Sequence, residues 1–526
     1  MTLKLSLNKI KSAVLFLLMA VAICACHEKK EDVCISLDSF AGLRNPAYVI
    51  DKERIDDNIH HLVMSDTGRG TADIHARRHY LDGGRLVWIT RQGVSAKADS
   101  VLEYVSRAGS FGFSPDKFFY SVIKDDLHRA RNLDFGTGRN DINHVYARLE
   151  FYLTKAFLRY AEGQRFGYVD PYGALNRLDV RDSDSVRVTY RQLYDVHTRR
   201  PDKDFAARAF EAMGGGDAAV GRFLAASRPA NPLYYTLLRH LNEPGVSPQQ
   251  RQRILVNMER CRWNVGDYPH MHKKYVLVNI PSLHLMAVDG ADTMTMRIGL
   301  GSLETKTPLL TSRVKRMDFN PQWVIPKSIV KTSVRHHAGS RGYFDSHNYF
   351  IQQRSTGKEV SPENVTGDML MSPDYLVIQR GGIGNALGRV IFRFDNDFSI
   401  FMHDTSNPGV FSRADRSVSH GCIRVERPFD LAVFMLADKD DGLIDRMRYS
   451  MTVRYAPKAS GADADDEDGE EPIDRKRMVR SVPVEPQVPI FITYYTLYPG
   501  TGGRLVAYGD IYGFDTVIYS KLEPLL

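Results

Sequence analysis

The stretch FMHDTSNPGVFSRADRSVSHGCIRV, Phe401–Val425, places one cysteine, Cys422, among two histidines and an arginine. Just upstream, RVIFRF and FSIFMH flank Asp395-Asn396-Asp397. Two apolar runs around a short polar turn predict a β-hairpin, and His403 then stands at the end of its second strand. A free thiol is only a few per cent thiolate at neutral pH, so efficient attack on a carbonyl needs a base or cation beside it. His420, two residues before Cys422, is one candidate base. His403, nineteen positions before it, is the other. Gly421 has no Cβ and permits a tight turn. Such a turn can aim the Cys422 N–H at a developing oxyanion. Arg424 lies two residues beyond the thiol, on the same side in an extended segment. A guanidinium fork there suits a substrate carboxylate.

Working outward, YVLVNI and LHLMAV flank Pro281-Ser282, and Asp289-Gly290 turns into TMTMRIGL. This alternation predicts a β meander. VPIFITYYTLY and GRLVAYGDIYG return to strand character near the end of the chain. Between the sheets, residues 327–375 read as polar and irregular, the mark of a lid or binding element. Upstream the period becomes helical. In INHVYARLEFYLTKAFLRYAEG, Val145, Leu149, Tyr152, Leu153, Ala156, Phe157 and Tyr160 fall on one stripe. Ser247 and Pro248 carry a helix-start signal, and a domain junction is placed near them.

The chain has 526 residues, enough for two or more domains. Its formal charge is +7, of which Lys4, Lys9 and Lys11 supply three at the extreme N-terminus. The remaining surplus is too small to point to nucleic acid. Those lysines precede the apolar run AVLFLLMAVAI, Ala13–Ile23, which is too short to span a bilayer comfortably and reads as an export signal. It ends in ICAC, Ile23–Cys26, which resembles a bacterial lipobox. The resemblance implies a lipoprotein that begins at Cys26, held to a membrane by acyl chains and facing the periplasm. The five cysteines, Cys24, Cys26, Cys34, Cys261 and Cys422, contain no CxxC pair and make no disulfide framework. Cys261 reads as a small buried hydrophobe.

Other motifs carry less. GGIGNALGRV, Gly381–Val390, is followed by a strand rather than a helix, so the phosphate-cradling helix end is missing. The loop is read instead as bordering the catalytic cleft, with Asn385 and Gly388 on the substrate side. His336, His337 and His347 lack zinc-site spacing, and neither a metal nor another cofactor is called for. Papain-like peptidases place Cys before His, and caspases use a different Cys motif; neither fits.

With these residues in view, Phe401–Val425 resembles the signature of the L,D-transpeptidase catalytic domain: a histidine, a spacer, then Ser/Thr-His-Gly-Cys. Here 15 residues, Asp404–Val418, separate His403 from Ser419. LTKAFLRYAEGQRFGYVDP, ILVNMERCRW, TPLLTSRVKRMDFNPQWVIPKSI, NALGRVIFRF and GDIYG also resemble segments of the large periplasmic L,D-transpeptidases of Gram-negative bacteria. The resemblance makes Cys422 the nucleophile and His403 its proton acceptor and donor. It makes Ser419, His420 and Gly421 the oxyanion loop and Arg424 a substrate-side arginine. It implies an α+β multidomain fold, with a helical N-terminal domain and a β-rich, sandwich-like catalytic domain. The implied reaction joins peptidoglycan stem peptides 3→3: Cys422 acylates on a donor tetrapeptide, D-Ala leaves, and the amine of a diamino acid on an acceptor stem takes the acyl group. No third member of a triad is identifiable. Water as acceptor would give an L,D-carboxypeptidase with the same residues, and a catalytically silent envelope scaffold is the rival of another class. A carbapenem is expected to add to Cys422. Three departures stand out. LNEPGVSPQQRQRIL leaves no room for the usual small wall-binding module, Cys261 replaces an aromatic residue, and the acidic run Pro457–Arg477 is extra. The resulting expectation is a signal peptide over 1–25, a tether over 26–72, helices over 73–244 and a catalytic domain over 245–526. The last is interrupted by the lid-like segment 327–375 and an acidic disordered insertion over about 457–487.

Overall fold

A computed structural model describes residues 45–183, 188–454, 473–500 and 502–526. The signal segment, Cys26 and most of the acidic run lie outside the described residues. No helix among the described residues is long and apolar enough to cross a membrane. The chain forms two compact units. The first takes residues up to 107, with 115–160 and 203–226; the second takes 108–114, 161–202 and 227–526.

The first unit is built from α1 (Lys52–Ser65), α2 (Thr71–Leu81), α3 (Lys97–Ser106), α4 (Tyr120–Asn132), the first part of α5 (Ile142–Phe166), α6 (Lys203–Gly214) and α7 (Asp217–Ala226). Val145, Leu149, Leu153, Ala156 and Phe157 on α5 are fully buried, as is the polar Glu150. The helix is therefore covered on more than the one stripe its apolar letters suggest. Its polar residues are satisfied inside. The Glu150 carboxylate accepts the backbone N–H groups of Val87, Trp88 and Ile89, and Lys155 pairs with Asp66 and Asp73. Part of the expected tether is helix. Asp51 caps α1 through the N–H groups of Glu53 and Arg54, and Ile55, Ile59 and Val63 are buried. Three apolar residues four apart are enough to seat a helix whose other faces are polar.

In the second unit, α8 (Pro232–Leu241) and α9 (Pro248–Arg262) precede the sheet. A capping box between Ser247 and Gln250 starts α9 at the predicted place. From Lys274 to Thr493 the strands in chain order are β1 (Lys274–Asn279), β2 (His284–Asp289), β3 (Asp292–Gly301), β4 (Leu309–Phe319), β5 (Trp323–Val324), β6 (Tyr349–Gln353), β7 (Glu359–Val360), β8 (Tyr375–Gln379), β9 (Val390–Phe394), β10 (Met402–His403), β11 (Ser417–Ser419), β12 (Ile423–Val425) and β13 (Ser481–Thr493). The expected meander is β1–β2–β3, antiparallel throughout. The main sheet runs β9–β10–β12–β3–β2–β1–β13–β4, with the short strand Tyr194–Asp195 parallel to the start of β4, and β4 pairs back onto β9. The β-rich fold is therefore a sheet closed on itself like a barrel, which removes its open edges. β11 adds to β3 in parallel.

Two expectations change here. Residues 327–375 are not irregular. They fold with β5–β8–β6–β7 as a second sheet over a core that includes Ile325, Val330, Phe344, Ile351 and Leu370. Those residues come from separate short elements, so no single periodic run announces them. The acidic insertion also ends earlier than 487. Ser481–Gln487 already belong to β13, and Ser481, Val482 and Pro483 pair with β4.

Candidate active site

β9 and β10 form the predicted hairpin, with Ile391 opposite His403. On its other edge β10 pairs in parallel with β12, His403 beside Arg424 and Met402 beside Ile423. The Ile423 N–H bonds the Phe401 carbonyl at 3.1 Å, which extends the register back to Cys422. With the two-residue period of a strand, Cys422, Arg424 and His403 share one face. His403 and Cys422 are diagonal neighbours on it, a separation of roughly 7 Å between α-carbons. Side chains can close that gap, although no thiol–imidazole hydrogen bond is made among the described residues.

His403 is 3% exposed. Its Nδ1 meets the Asp404 carbonyl. A carbonyl only accepts, so Nδ1 carries the proton of the neutral ring and Nε2 is its unprotonated nitrogen. Burial, then the Arg424 charge, lower the pKa of His403 to about 4, against the pull of the Asp404 and Leu387 backbones. Burial pushes the Cys422 thiol up, partly offset by a hydrogen bond from the Phe401 backbone and by the Arg424 charge. At neutral pH the resting pair is thus a neutral thiol and a neutral imidazole.

The turn into Cys422 is held by hydroxyls. Ser419 Oγ donates to the Cys422 carbonyl at 2.6 Å and accepts the Gly421 N–H at 3.1 Å. Gly421 sits at φ +111°, where a side chain would strain the backbone. The Thr305 hydroxyl donates to the Ser419 carbonyl and the Thr307 hydroxyl to the Gly421 carbonyl, both at 2.9 Å. Thr307 Oγ1 also accepts from Gly301 N, and the Tyr512 hydroxyl donates to the Gly301 carbonyl. The loop is therefore tied to the end of β3 through the Ser419 and Gly421 carbonyls.

Residues 273–444 match the family model of the L,D-transpeptidase catalytic domain (YkuD). They form an L,D-transpeptidase catalytic domain. Residues 76–241 match a model described as a Scaffold domain. A curated protein of Haemophilus influenzae (strain ATCC 51907 / DSM 11121 / KW20 / Rd), named "Putative L,D-transpeptidase", is 28% identical over 270 residues, 51% of this chain and 49% of that protein. The chain thus spans about half the length of that relative.

Within the L,D-transpeptidase domain the two histidines part company. His403 is buried and oriented, whereas His420 projects from the loop and is exposed. Arg424 is half-buried on the thiol's face; its Nε is buried without a hydrogen-bond partner among the described residues. Asn385 and Gly388 do not meet the expectation of substrate contact. Asn385 is 1% exposed, and its amide is spent on the Pro321 and Arg380 carbonyls and the Leu387 N–H. At Gly388 a Cβ would fall 2.4 Å from Asp404 Cγ, so the glycine makes room for a neighbour. That neighbour accepts the Arg389 N–H and holds the backbone beside His403. The groups the sequence does not disclose are the Asp404 carbonyl and the hydroxyls of Thr305, Thr307 and Tyr512. The first has no side-chain letter. The others lie outside the signature, and only strand pairing brings them to the loop.

Proposed function

We propose that this protein is a peptidoglycan L,D-transpeptidase acting through a thioester on Cys422. His403 Nε2, directly or through one water, takes the thiol proton as sulfur attacks the carbonyl carbon between the third and fourth residues of a donor tetrapeptide. The C–N bond breaks, the leaving D-Ala amine takes the proton from His403, and the acyl group stays on sulfur. An amine of a diamino acid on a second stem then attacks and gives its proton to His403, the C–S bond breaks, and His403 returns the proton to sulfur, leaving a 3→3 cross-link and the free thiol. The Asp404 carbonyl keeps the ring in the right tautomer throughout. The Ser419–Cys422 turn presents the Cys422 N–H to the oxyanion, and Arg424 receives a stem-peptide carboxylate.

The observation that carries this reading is the shared face. A buried, singly oriented imidazole and a tightly turned cysteine flank the same unpaired guanidinium, inside a domain of this family. The insertion with its own sheet leaves the barrel after β4 and returns at β9. The Asn320 N–H meets the Arg389 carbonyl across its neck. It is a lid that closes over the stem peptide and keeps water from the thioester. Export and lipidation at Cys26 complete the proposal and put the enzyme on a membrane, facing the periplasm.

The test is incubation of purified protein with a disaccharide-tetrapeptide, followed by mass analysis of protein and product. Expected are an acyl adduct on Cys422, a cross-linked dimer, and neither with Cys422→Ala. A trimmed tripeptide without dimer would make the enzyme a carboxypeptidase; unchanged dimer from Cys422→Ala would reject the assignment. A carbapenem adduct mapping to Cys422 is expected as well. Labelled palmitate in the native protein and not in Cys26→Ala tests the anchor.

A further inference from the structure

Asn320 immediately follows β4 and Arg389 immediately precedes β9, so the two residues are the ends of the insertion. Their backbones join there, Asn320 N–H to Arg389 carbonyl at 2.8 Å. The Arg389 guanidinium then crosses the neck. Its Nε donates to Asn320 Oδ1 at 2.6 Å, and its Nη2 to the carbonyls of Ser450 and Val453 at 3.0 and 2.7 Å. Asn320 Nδ2 donates to the same Ser450 carbonyl at 2.9 Å. Ser450 and Val453 lie at the C-terminal end of the helix Asp441–Thr452, where a cation is favoured. Asn320 sits at φ +47°, a region that residues other than glycine seldom occupy, and these partners hold it there. The main chain of Arg389 reaches the catalytic face. Its N–H donates to Asp404 Oδ2 at 2.8 Å, and the Thr405 N–H donates to Oδ1 at 2.7 Å. The Asp404 carbonyl in turn takes the Nδ1 proton of His403. Burial pushes the Asp404 carboxyl up, while the two N–H groups and the Arg389 charge oppose it and favour the form that accepts at both oxygens.

We infer that Arg389 is a positioning residue for His403, tying the aim of the imidazole to the root of the insertion and to the end of the Asp441–Thr452 helix. Its importance for the reaction rests on the reading of His403 as the base. The path is short, and each step is a hydrogen bond or a covalent bond. The guanidinium grips Asn320 and the helix end, the Arg389 N–H grips the Asp404 carboxylate, and the Asp404 carbonyl grips Nδ1. Without the guanidinium, Asn320 Oδ1 and the two helix carbonyls lose a charged donor. The Arg389 backbone is then held by the Asn320 N–H alone at the neck, Asp404 loses a fixed donor, and Nε2 loses its single direction. Precision in a catalytic group comes from such supporting bonds. The same residue makes any displacement of the insertion's root felt at the base.

The experiment uses the full chain labelled with nitrogen-15 histidine. The His403 Nδ1–H is identified as the imidazole proton signal that His403→Gln lacks. In Arg389→Met this signal should shift and exchange with water at least about tenfold faster. Cys422 acylation at saturating tetrapeptide should fall about ten- to a hundredfold, with the half-saturating concentration changed less than about threefold. Arg389→Lys, which keeps the cation but loses the planar fork, should recover part of both. Asn320→Ala should add little to Arg389→Met, as expected of residues in one network. Leu277→Ala, a core truncation on β1, is the control for lost stability and should leave the signal and the rate as in the native protein. Should Arg389→Met not fold, Arg389→Lys carries the same test. An unchanged His403 signal in the folded Arg389 variant, equal changes in Leu277→Ala, or no such signal in the native protein would overturn the positioning role. The NMR measurement needs no turnover, so it decides this inference separately from the identity of the acyl donor.

Discussion

Two histidines flank the same thiol, and the protein treats them oppositely. His403, at the end of β10, is nearly fully buried, fixed by the Asp404 carbonyl and pushed down to a pKa of about 4. His420, in the turn before Cys422, is exposed. Proximity along the chain favours His420; burial and strand register favour His403 as the proposed base. A base must be held in one tautomer and one direction, and a paired strand end does that where a loop residue does not.

Substitutions can break the contrast. The largest effect belongs to the thiol itself: Cys422→Ser should leave no acyl-enzyme detectable by intact mass. Next, His403→Gln should slow thioester formation about 10²–10⁴-fold, the usual worth of a positioned acid–base group. Stopped-flow acylation with a tetrapeptide donor would measure it; a loss below about threefold would remove His403 from the chemistry. A smaller effect is expected in the turn. Ser419→Ala and Thr307→Val each strip hydrogen bonds from the Gly421–Cys422 backbone, and acylation should fall about ten- to a hundredfold. His420→Ala should change the rate by less than about twofold. Equal losses at His420 and His403 would erase the distinction drawn here.

Stability sharpens the same comparison. The His403 pKa is lowered from an ordinary 6.5 to about 4. Between those values the unfolded chain binds more protons at this position than the folded one, so stability falls as pH drops through that window. Denaturant titrations across pH 4–6.5 should show this part of the slope disappearing in His403→Gln and remaining in His420→Ala.

Much of the site is legible in the sequence because its letters are local. His403, Ser419, Gly421, Cys422 and Arg424 sit within one short stretch, and the hairpin before it is plain from alternation. The meander over β1–β3 is equally visible. What the letters hide depends on long-range pairing. Thr305 and Thr307 reach the turn because β11 joins β3, and Tyr512 arrives from the C-terminal region. The partner that orients His403 is a main-chain carbonyl, which no residue type announces. Asn385 misleads for the opposite reason: a polar side chain in a glycine-rich loop suggests a ligand, yet it is consumed by the backbone of Pro321, Arg380 and Leu387. The insertion reads as irregular because its buried apolar residues come from separate short elements, and α1 reads as tether because only Ile55, Ile59 and Val63 are buried in it.

The most direct measurement is the pH dependence of Cys422 acylation by a tetrapeptide donor, followed by intact mass in the native protein and in His403→Gln. The native rate should keep its base down to an acid limb near pH 4, and that limb should vanish in the variant. An acid limb near pH 6.5 that persists in His403→Gln would mean another group takes the thiol proton, and the account would be wrong.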